Sequence, residues 1–165
     1  MQLGLTWPLQ RLLRMPVPYG EPISLKWCWD LHCITLRGRS SLLLVHCASR
    51  YTCVRFDMKP AEWADLSAVA MEELRLGLRD AGLDPADISA YLSAAGTPML
   101  TRTHGRREVA FLNRAWDAVL AADLLVDLSS TRQPVLNNAV NAQPCRCSGF
   151  EGIDSAQAFL LQCII

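Results

Sequence analysis

Lys26-Trp27-Cys28-Trp29-Asp30-Leu31-His32-Cys33-Ile34-Thr35-Leu36 is the stretch whose reading decides the fold. It is followed by the polar turn Arg37-Gly38-Arg39-Ser40, an apolar run from Ser41 to Cys47, the link Ala48-Ser49-Arg50, and a third run from Tyr51 to Phe56. Three runs rich in apolar, aromatic and β-branched residues, separated by two brief polar links, specify an antiparallel meander. Alternation in the first run places Trp27, Trp29, Leu31 and Cys33 on one face, and Cys28, Asp30, His32 and Ile34 on the other. Leu42-Leu43-Leu44-Val45 does not alternate, so the middle strand is expected to be central and covered on both faces.

Upstream, Met1 to Thr6 reads as a short strand at a sheet edge. Thr6 can cap a short helix with Pro8 in its first turn and Leu9, Leu12 and Leu13 on its apolar side. Pro16, Pro18, Gly20 and Pro22 enforce an irregular connection, because each proline fixes φ and lacks an N–H donor. Downstream, a long helix is expected near 60–81, with Trp63, Leu66, Ala70, Leu74 and Leu78 on one face and Gly82 ending it. Asp84-Pro85 starts a short helix that carries Ile88, Tyr91 and Leu92 and closes at Gly96. Thr97 to Thr103 reads as a short strand kept to an edge or a strand start by Pro98. Gly105 to Glu108 opens a second long helix, to about Asp123, with Val109, Leu112, Trp116, Val119 and Leu120 as its stripe.

The fold class is therefore α+β: an antiparallel sheet (the meander 27–56 plus short edge strands) packed by two longer amphipathic helices. Residues 1–128 form one domain. Ser129 to Gly149, rich in Ser, Asn, Gln and Pro, reads as a long loop. Asp154 or Ser155 caps a final helix, and 129–165 is expected to be a loop-rich tail packed on the same domain.

At 165 residues the chain can bury a core without staples, and a 51% apolar composition excludes general disorder. Its net charge of zero argues against a dedicated nucleic-acid binder, which carries a basic excess, but leaves room for a local basic patch. The first six residues are too short an apolar run for a signal peptide, and no run approaches the roughly 20 apolar residues of a membrane span. A reducing, cytoplasmic location is expected, with most of the seven cysteines acting as small buried hydrophobes and forming no disulfides.

The arrangement resembles an uncharacterised bacterial domain-of-unknown-function family. The likeness rests on Leu5-Thr6 before the Leu9/Leu12 helix, on Trp29 opening a strand, and on Arg37 and Arg39 before Leu42-Leu43-Leu44. It continues in Ser49-Arg50-Tyr51-Thr52, Thr101-Arg102-Thr103, Arg106 or Arg107, and Asn113. It covers about residues 3 to 120, with His46 standing where Asn is expected. The resemblance implies a fold and no assigned activity.

The richest polar group is Thr101 to Arg107 at a helix start, with Arg114 two turns in. Unpaired N–H groups there favour an anion, and arginines can clamp a phosphate or carboxylate. The expected binding residues are Arg50, Arg102, Thr103, Arg106, Arg107 and Asn113. Asn113 lies seven residues beyond Arg106, on nearly the same helix face. No metal site is expected. Cys145-Arg146-Cys147 has one intervening residue, and Cys28, His32, Cys33, Cys47 and Cys53 lack the paired spacing of structural zinc. No nucleophile elbow, phosphate-binding glycine loop or zinc-helix motif is present. Asp30 and His32 share a strand face, an arrangement that can serve acid–base chemistry, although two polar residues on a solvated face of a sheet are the commoner case.

The expectation is a cytoplasmic binding or interaction protein without catalytic residues, cofactor or membrane segment. Its partner would be nucleic acid, an anionic ligand or another protein. The alternatives are an enzyme acting on a small anionic substrate, with arginine for binding and histidine for acid–base work, and a structural partner-binding subunit.

Overall fold

The computed structural model describes residues 1–165. Its centre is the expected meander: β2 (Cys28–Leu36), β3 (Arg39–His46) and β4 (Thr52–Arg55), each antiparallel to the next. Arg37 and Gly38 make the first turn, both in the left-handed region with φ of 50° and 75°.

The sheet is mixed rather than antiparallel. β1 (Gln2–Leu5) is not an edge strand; it lies between β2 and β5 (Met99–Arg102), parallel to both, in the order β4-β3-β2-β1-β5. β2, not β3, is therefore the middle strand. The correction has a physical cause. Four residues are too few to show whether both edges are paired, and β1 is buried along its whole length.

Each face has its own core. On one, Leu3, Leu5, Trp29, Leu31, Leu42 and Leu44 pack under α3 (Leu66–Asp80) and α4 (Pro85–Ala95). On the other, Ile34, Leu36, Leu43, Val45 and Val54 pack under α5 (Arg106–Ala121) and α6 (Pro134–Asn141). Leu43 and Leu44 are each fully buried but on opposite faces, which is why that run does not alternate. Truncating either to Ala costs about 2–5 kcal/mol by the usual scale for core leucines.

The helix expected over 60–81 is divided by Asp65 (φ −113°, ψ 45°) into α2 (Pro60–Ala64) and α3. Asp84 caps α4 by accepting from the Asp87 N–H at 2.9 Å, and Ser155 caps the last helix, α7 (Ala156–Ile164). Of the residues expected to be buried, Leu66 and Leu112 are, while Trp63, Val109 and Trp116 are half-buried at the helix flanks.

The long loop expected over 129–149 contains α6. Its asparagines are spaced as a clamp. Asn141 Oδ1 accepts from Thr52 N–H (2.7 Å) and its Nδ2 donates to Thr52 O (2.7 Å), while Asn137 Oδ1 accepts from Val54 N–H (3.0 Å). The outer edge of β4, open to pairing with other chains in a bare sheet, is closed by side chains.

The first short helix, α1 (Trp7–Leu13), leaves β1 toward the α3 face, with Leu9 in that core. The chain after β5 instead enters α5 on the opposite face. Adjacent parallel strands whose following helices diverge leave a crevice at their carboxyl ends. No helix is long and apolar enough to cross a membrane.

Candidate functional site

Arg50 is positioned by the turn between β3 and β4. His46 Nδ1 accepts from Ser49 N–H (3.3 Å) and lies 2.7 Å from Ser49 Oγ, while Nε2 faces the Lys26 carbonyl at 3.1 Å. A carbonyl can only accept, so the ring proton is on Nε2 and the imidazole is neutral. Burial pulls its pKa down to about 4, against the smaller upward effect of that carbonyl. Ser49 Oγ also accepts from Tyr51 N–H (3.2 Å), and Arg50 N–H donates to His46 O (2.8 Å). The tightness of this loop puts Arg50 in the left-handed region at φ 66°.

The segment after α6 docks on that turn. Cys147 Sγ donates to Ser49 O (3.2 Å), and Arg50 Nη1 donates to Arg146 O (3.3 Å). The Arg50 guanidinium also lies over the Phe111 ring at 4.9 Å, which brings in α5 and with it Arg114. Arg50, Arg114 and Arg146 border one indentation, about 340 Å³, continuous through Arg50, Arg114, Pro144 and Cys145 with a second of about 200 Å³. No carboxylate lines either, and none of the three arginines has an ion-pair partner.

The six residues expected to bind an anion do not meet at one point. Arg50 is at this indentation. Arg102 lies 4.4 Å over the Tyr19 ring and donates to Val17 O at 3.3 Å. Arg106 is exposed at the start of α5, and Arg107 is held 2.7 Å from Glu108. Thr103 and Asn113 line the crevice between α1 and α5, a groove of about 380 Å³ that also has Thr6, His32, Trp7 and Trp116 on its walls. Arg146 was not legible as a site residue. It sits in a connection with no periodicity, and its flanking cysteines were the only signal that the segment docks.

Asp30 and His32 do share a face of β2, but they do not pair. His32 Nδ1 lies 2.7 Å from Thr6 Oγ1 and its ring meets Trp116 edge-on at 5.0 Å; burial lowers its pKa. Asp30 is paired instead with His104, whose Nδ1 is 2.7 Å from Asp30 Oδ1. His104 Nε2 faces Gln2 Oε1 at 3.0 Å, and Gln2 Nε2 donates to Glu21 O at 2.7 Å, which fixes the amide with its oxygen toward the ring. Both ring nitrogens thus face acceptors, as an imidazolium requires. Burial pulls the His104 pKa down, but hydrogen bonds to Asp30 and Cys28 and the Asp30 charge outweigh it and leave it raised to about 9. Burial pulls Asp30 up while His104 pulls it down; with both nitrogens facing acceptors, the geometry favours the ionic pair.

Cys47 Sγ lies 3.5 Å from the same Nδ1. A Cys–His–Asp triad needs thiol and carboxylate on opposite ring nitrogens. Here both approach Nδ1, and burial followed by the charge of Asp30 raises the Cys47 pKa well above the ordinary thiol value. The thiol is neutral and is no activated nucleophile.

Fold and sites together define a small α+β protein with an enclosed polar centre and, apart from it, an open basic indentation. The chain belongs to the family described as Domain of unknown function (DUF6933), which it matches over residues 2–156. No curated protein matches it significantly.

Proposed function

We propose that the protein is a cytoplasmic binding protein for a small phosphorylated or carboxylated ligand, which it takes at the indentation bordered by Arg50, Arg114 and Arg146. The observation that carries this reading is that three arginines without ion-pair partners border one indentation, on a neutral chain, at a place without a carboxylate. Like charges gathered this way repel unless an anion joins them, and guanidinium is the group that grips phosphate or carboxylate in two-point contact. The small size of the indentation and the absence of a basic excess favour a small molecule over nucleic acid. Arg106 and the free N–H groups at the start of α5 remain an independent, weaker attraction for the same kind of ion.

Calorimetric titration with inorganic phosphate, pyrophosphate and ATP, each against duplex DNA as competitor, tests the reading. Saturable binding of one of the three anions, weakened at least tenfold by Arg114→Ala and by Arg146→Ala and indifferent to DNA, is expected. Equal weakening by Arg106→Ala would move the site to the helix start. No binding of any anion would remove the proposal.

A second reading, an enzyme on a small anionic substrate, is favoured by one observation: a hydroxyl, Thr6 Oγ1, sits 2.7 Å from a neutral imidazole in the crevice at the strand ends. His46 takes no part in it, being fully buried in its turn.

A further inference from the structure

The strand register gathers a second set of groups that no spacing in the sequence announces. Trp29 pairs with His46 across β2 and β3, and Cys47 N–H donates to Cys28 O at 3.0 Å, so Cys28 and Cys47 stand opposite each other just outside the ladder. Asp30 is two residues along β2 and therefore on the same face as Cys28. Val45, two residues before Cys47, packs in the α5-side core, so all three side chains belong to that face. His104, just after β5, comes down on them over Gly4, where a side chain would block it. The donor atoms of Asp30, Cys47 and His104 all lie within 4.8 Å of one another, and Cys28, opposite Cys47 across the strands with its thiol 3.6 Å from Ser24 O, is the neighbour that turns in as the fourth donor. Cys28, Asp30 and Cys47 are 0%, 1% and 2% exposed.

From this geometry we infer that Cys28, Asp30, Cys47 and His104 form a zinc site, closed and structural, which ties the β5–α5 connection to the start of the meander. Two thiols, an imidazole and a carboxylate are a donor set for a borderline-soft divalent ion, not for magnesium or calcium. With Zn–S about 2.3 Å and Zn–N about 2.0 Å, a tetrahedral ion sets sulfur and nitrogen about 3.5 Å apart. Cys47 Sγ and His104 Nδ1 are 3.5 Å apart already. The 2.7 Å contact between Asp30 and His104 is a hydrogen bond, and it opens by about half an ångström when the Nδ1 proton leaves. The outer support is in place. A metal-binding histidine donates its other N–H to a fixed acceptor, as His104 Nε2 does to Gln2 Oε1, itself anchored by Glu21 O. Four protein donors leave no position for substrate, which makes the role structural. On binding, the two thiols and the imidazolium each give up a proton, three in all, and two thiolates and the Asp30 carboxylate balance the ion to a net single negative charge.

The test uses the full chain, stripped of metal and kept reduced, titrated with Co²⁺ and then Zn²⁺. One Co²⁺ per chain, with thiolate charge-transfer and tetrahedral d–d absorption that Zn²⁺ abolishes, is expected. Gln2→Ala should weaken binding about 10- to 100-fold through loss of ring orientation. Cys28→Ser and Cys47→Ser should each remove about half of the charge-transfer band per bound Co²⁺ and weaken binding, whereas the double change Cys145→Ser with Cys147→Ser should leave it unchanged. Should a ligand variant fail to fold, pulsed alkylation of the unaltered chain decides the matter: relative to the metal-free chain, Zn²⁺ must slow alkylation of Cys28 and Cys47 and leave the rates at Cys33 and Cys163 unchanged. Absence of the band, a band lost only with Cys145 and Cys147, protection of other cysteines, or a Cys28–Cys47 disulfide that persists under reductant each overturns the proposal.

Discussion

Gly4 and Asp30 are in-register neighbours across β1 and β2, and the missing side chain of the one is what lets the other meet His104. A Cβ at Gly4 would fall on Asp30 Oδ1 and come within 2.9 Å of His104 Nδ1. Gly4 has no positive φ, so alanine is conformationally allowed and any cost is crowding alone. Gly4→Ala should therefore destabilise by about 1–3 kcal/mol, the usual range for overpacking. Urea unfolding should show a lower midpoint at unchanged slope. A neutral result would mean that the Asp30–His104 contact is free to shift.

Glu73 supplies a pH dependence of known sign. Its carboxylate is 2% exposed, and Oε2 has no hydrogen bond although Arg55 Nη1 stands 3.5 Å away. Burial raises its pKa from 4.5 to about 7, and Arg55 and Arg132 only partly oppose this. A carboxyl whose folded pKa lies above its unfolded value favours the folded state while protonated. That advantage is full below about 4.5 and is lost as pH rises through 7. The rise corresponds to roughly 3 kcal/mol. Chemical denaturation at pH 5 and pH 8 should show the parent losing stability between them, with Glu73→Gln flattening the difference.

The asparagine clamp makes a sharper claim about one side chain. Asn141→Ala leaves both the N–H and the C=O of Thr52 unpaired and buried, which costs about 2–4 kcal/mol at the usual penalty for two orphaned groups. Asn141→Asp keeps the acceptor for the N–H but turns an oxygen on the carbonyl, so it should be no better. The freed edge should also increase aggregation at high concentration, measurable by light scattering. Equal stability of all three proteins would show that water replaces the clamp.

How much of this could be read beforehand depended on whether the signal was local. The meander was legible because turn residues and β-branched runs are local, and so was the two-faced pattern of β2. The Asp84 and Ser155 caps were legible too, since capping is settled within four residues. The parallel pairing of β1 was not, because four residues carry no record of what lies on either side. α6 was missed because Asn137 and Asn141 look like loop residues until β4 is placed beside them. In the candidate sites the pattern repeats. Arg50 and Arg114 stood out as charges near defined elements, but Arg146 joins them only through the docking of Cys147 on Ser49. The shared strand face of Asp30 and His32 is legible from their spacing, but the pairing of Asp30 with His104 is not, because His104 comes from beyond β5.

Tyr91 joins the helical layer to the sheet through hydroxyl contacts. It donates to Lys26 O at 2.7 Å and accepts from Trp29 Nε1 at 3.2 Å, inside the larger core. Tyr91→Phe keeps the ring and removes both partners' hydrogen bonds, which should cost about 1–3 kcal/mol through the unpaired indole N–H and carbonyl. Trp29 fluorescence should shift as its N–H loses a polar neighbour. A change below half of the lower figure would mean that the indole finds another acceptor.

Arg50 allows stability and binding to be separated in one residue. Its backbone at φ 66° suits glycine, and relief of left-handed strain is worth about 1–2 kcal/mol. Against this, Arg50→Gly gives up the contact over Phe111, about 0.5–1 kcal/mol at a partly exposed site, and a long hydrogen bond to Arg146 O. Glycine also adds freedom to the unfolded chain, which costs roughly 0.5–1 kcal/mol. These effects nearly cancel, so thermal unfolding of Arg50→Gly should stay close to that of the parent. Anion binding should not survive as well: removal of one of the three guanidinium groups that border the indentation should weaken phosphate or pyrophosphate binding at least tenfold, and Arg50→Lys should recover part of it by restoring charge without the planar fork. If Arg50→Gly binds these anions as tightly as the parent while remaining folded, Arg50 serves only to dock the segment that carries Arg146.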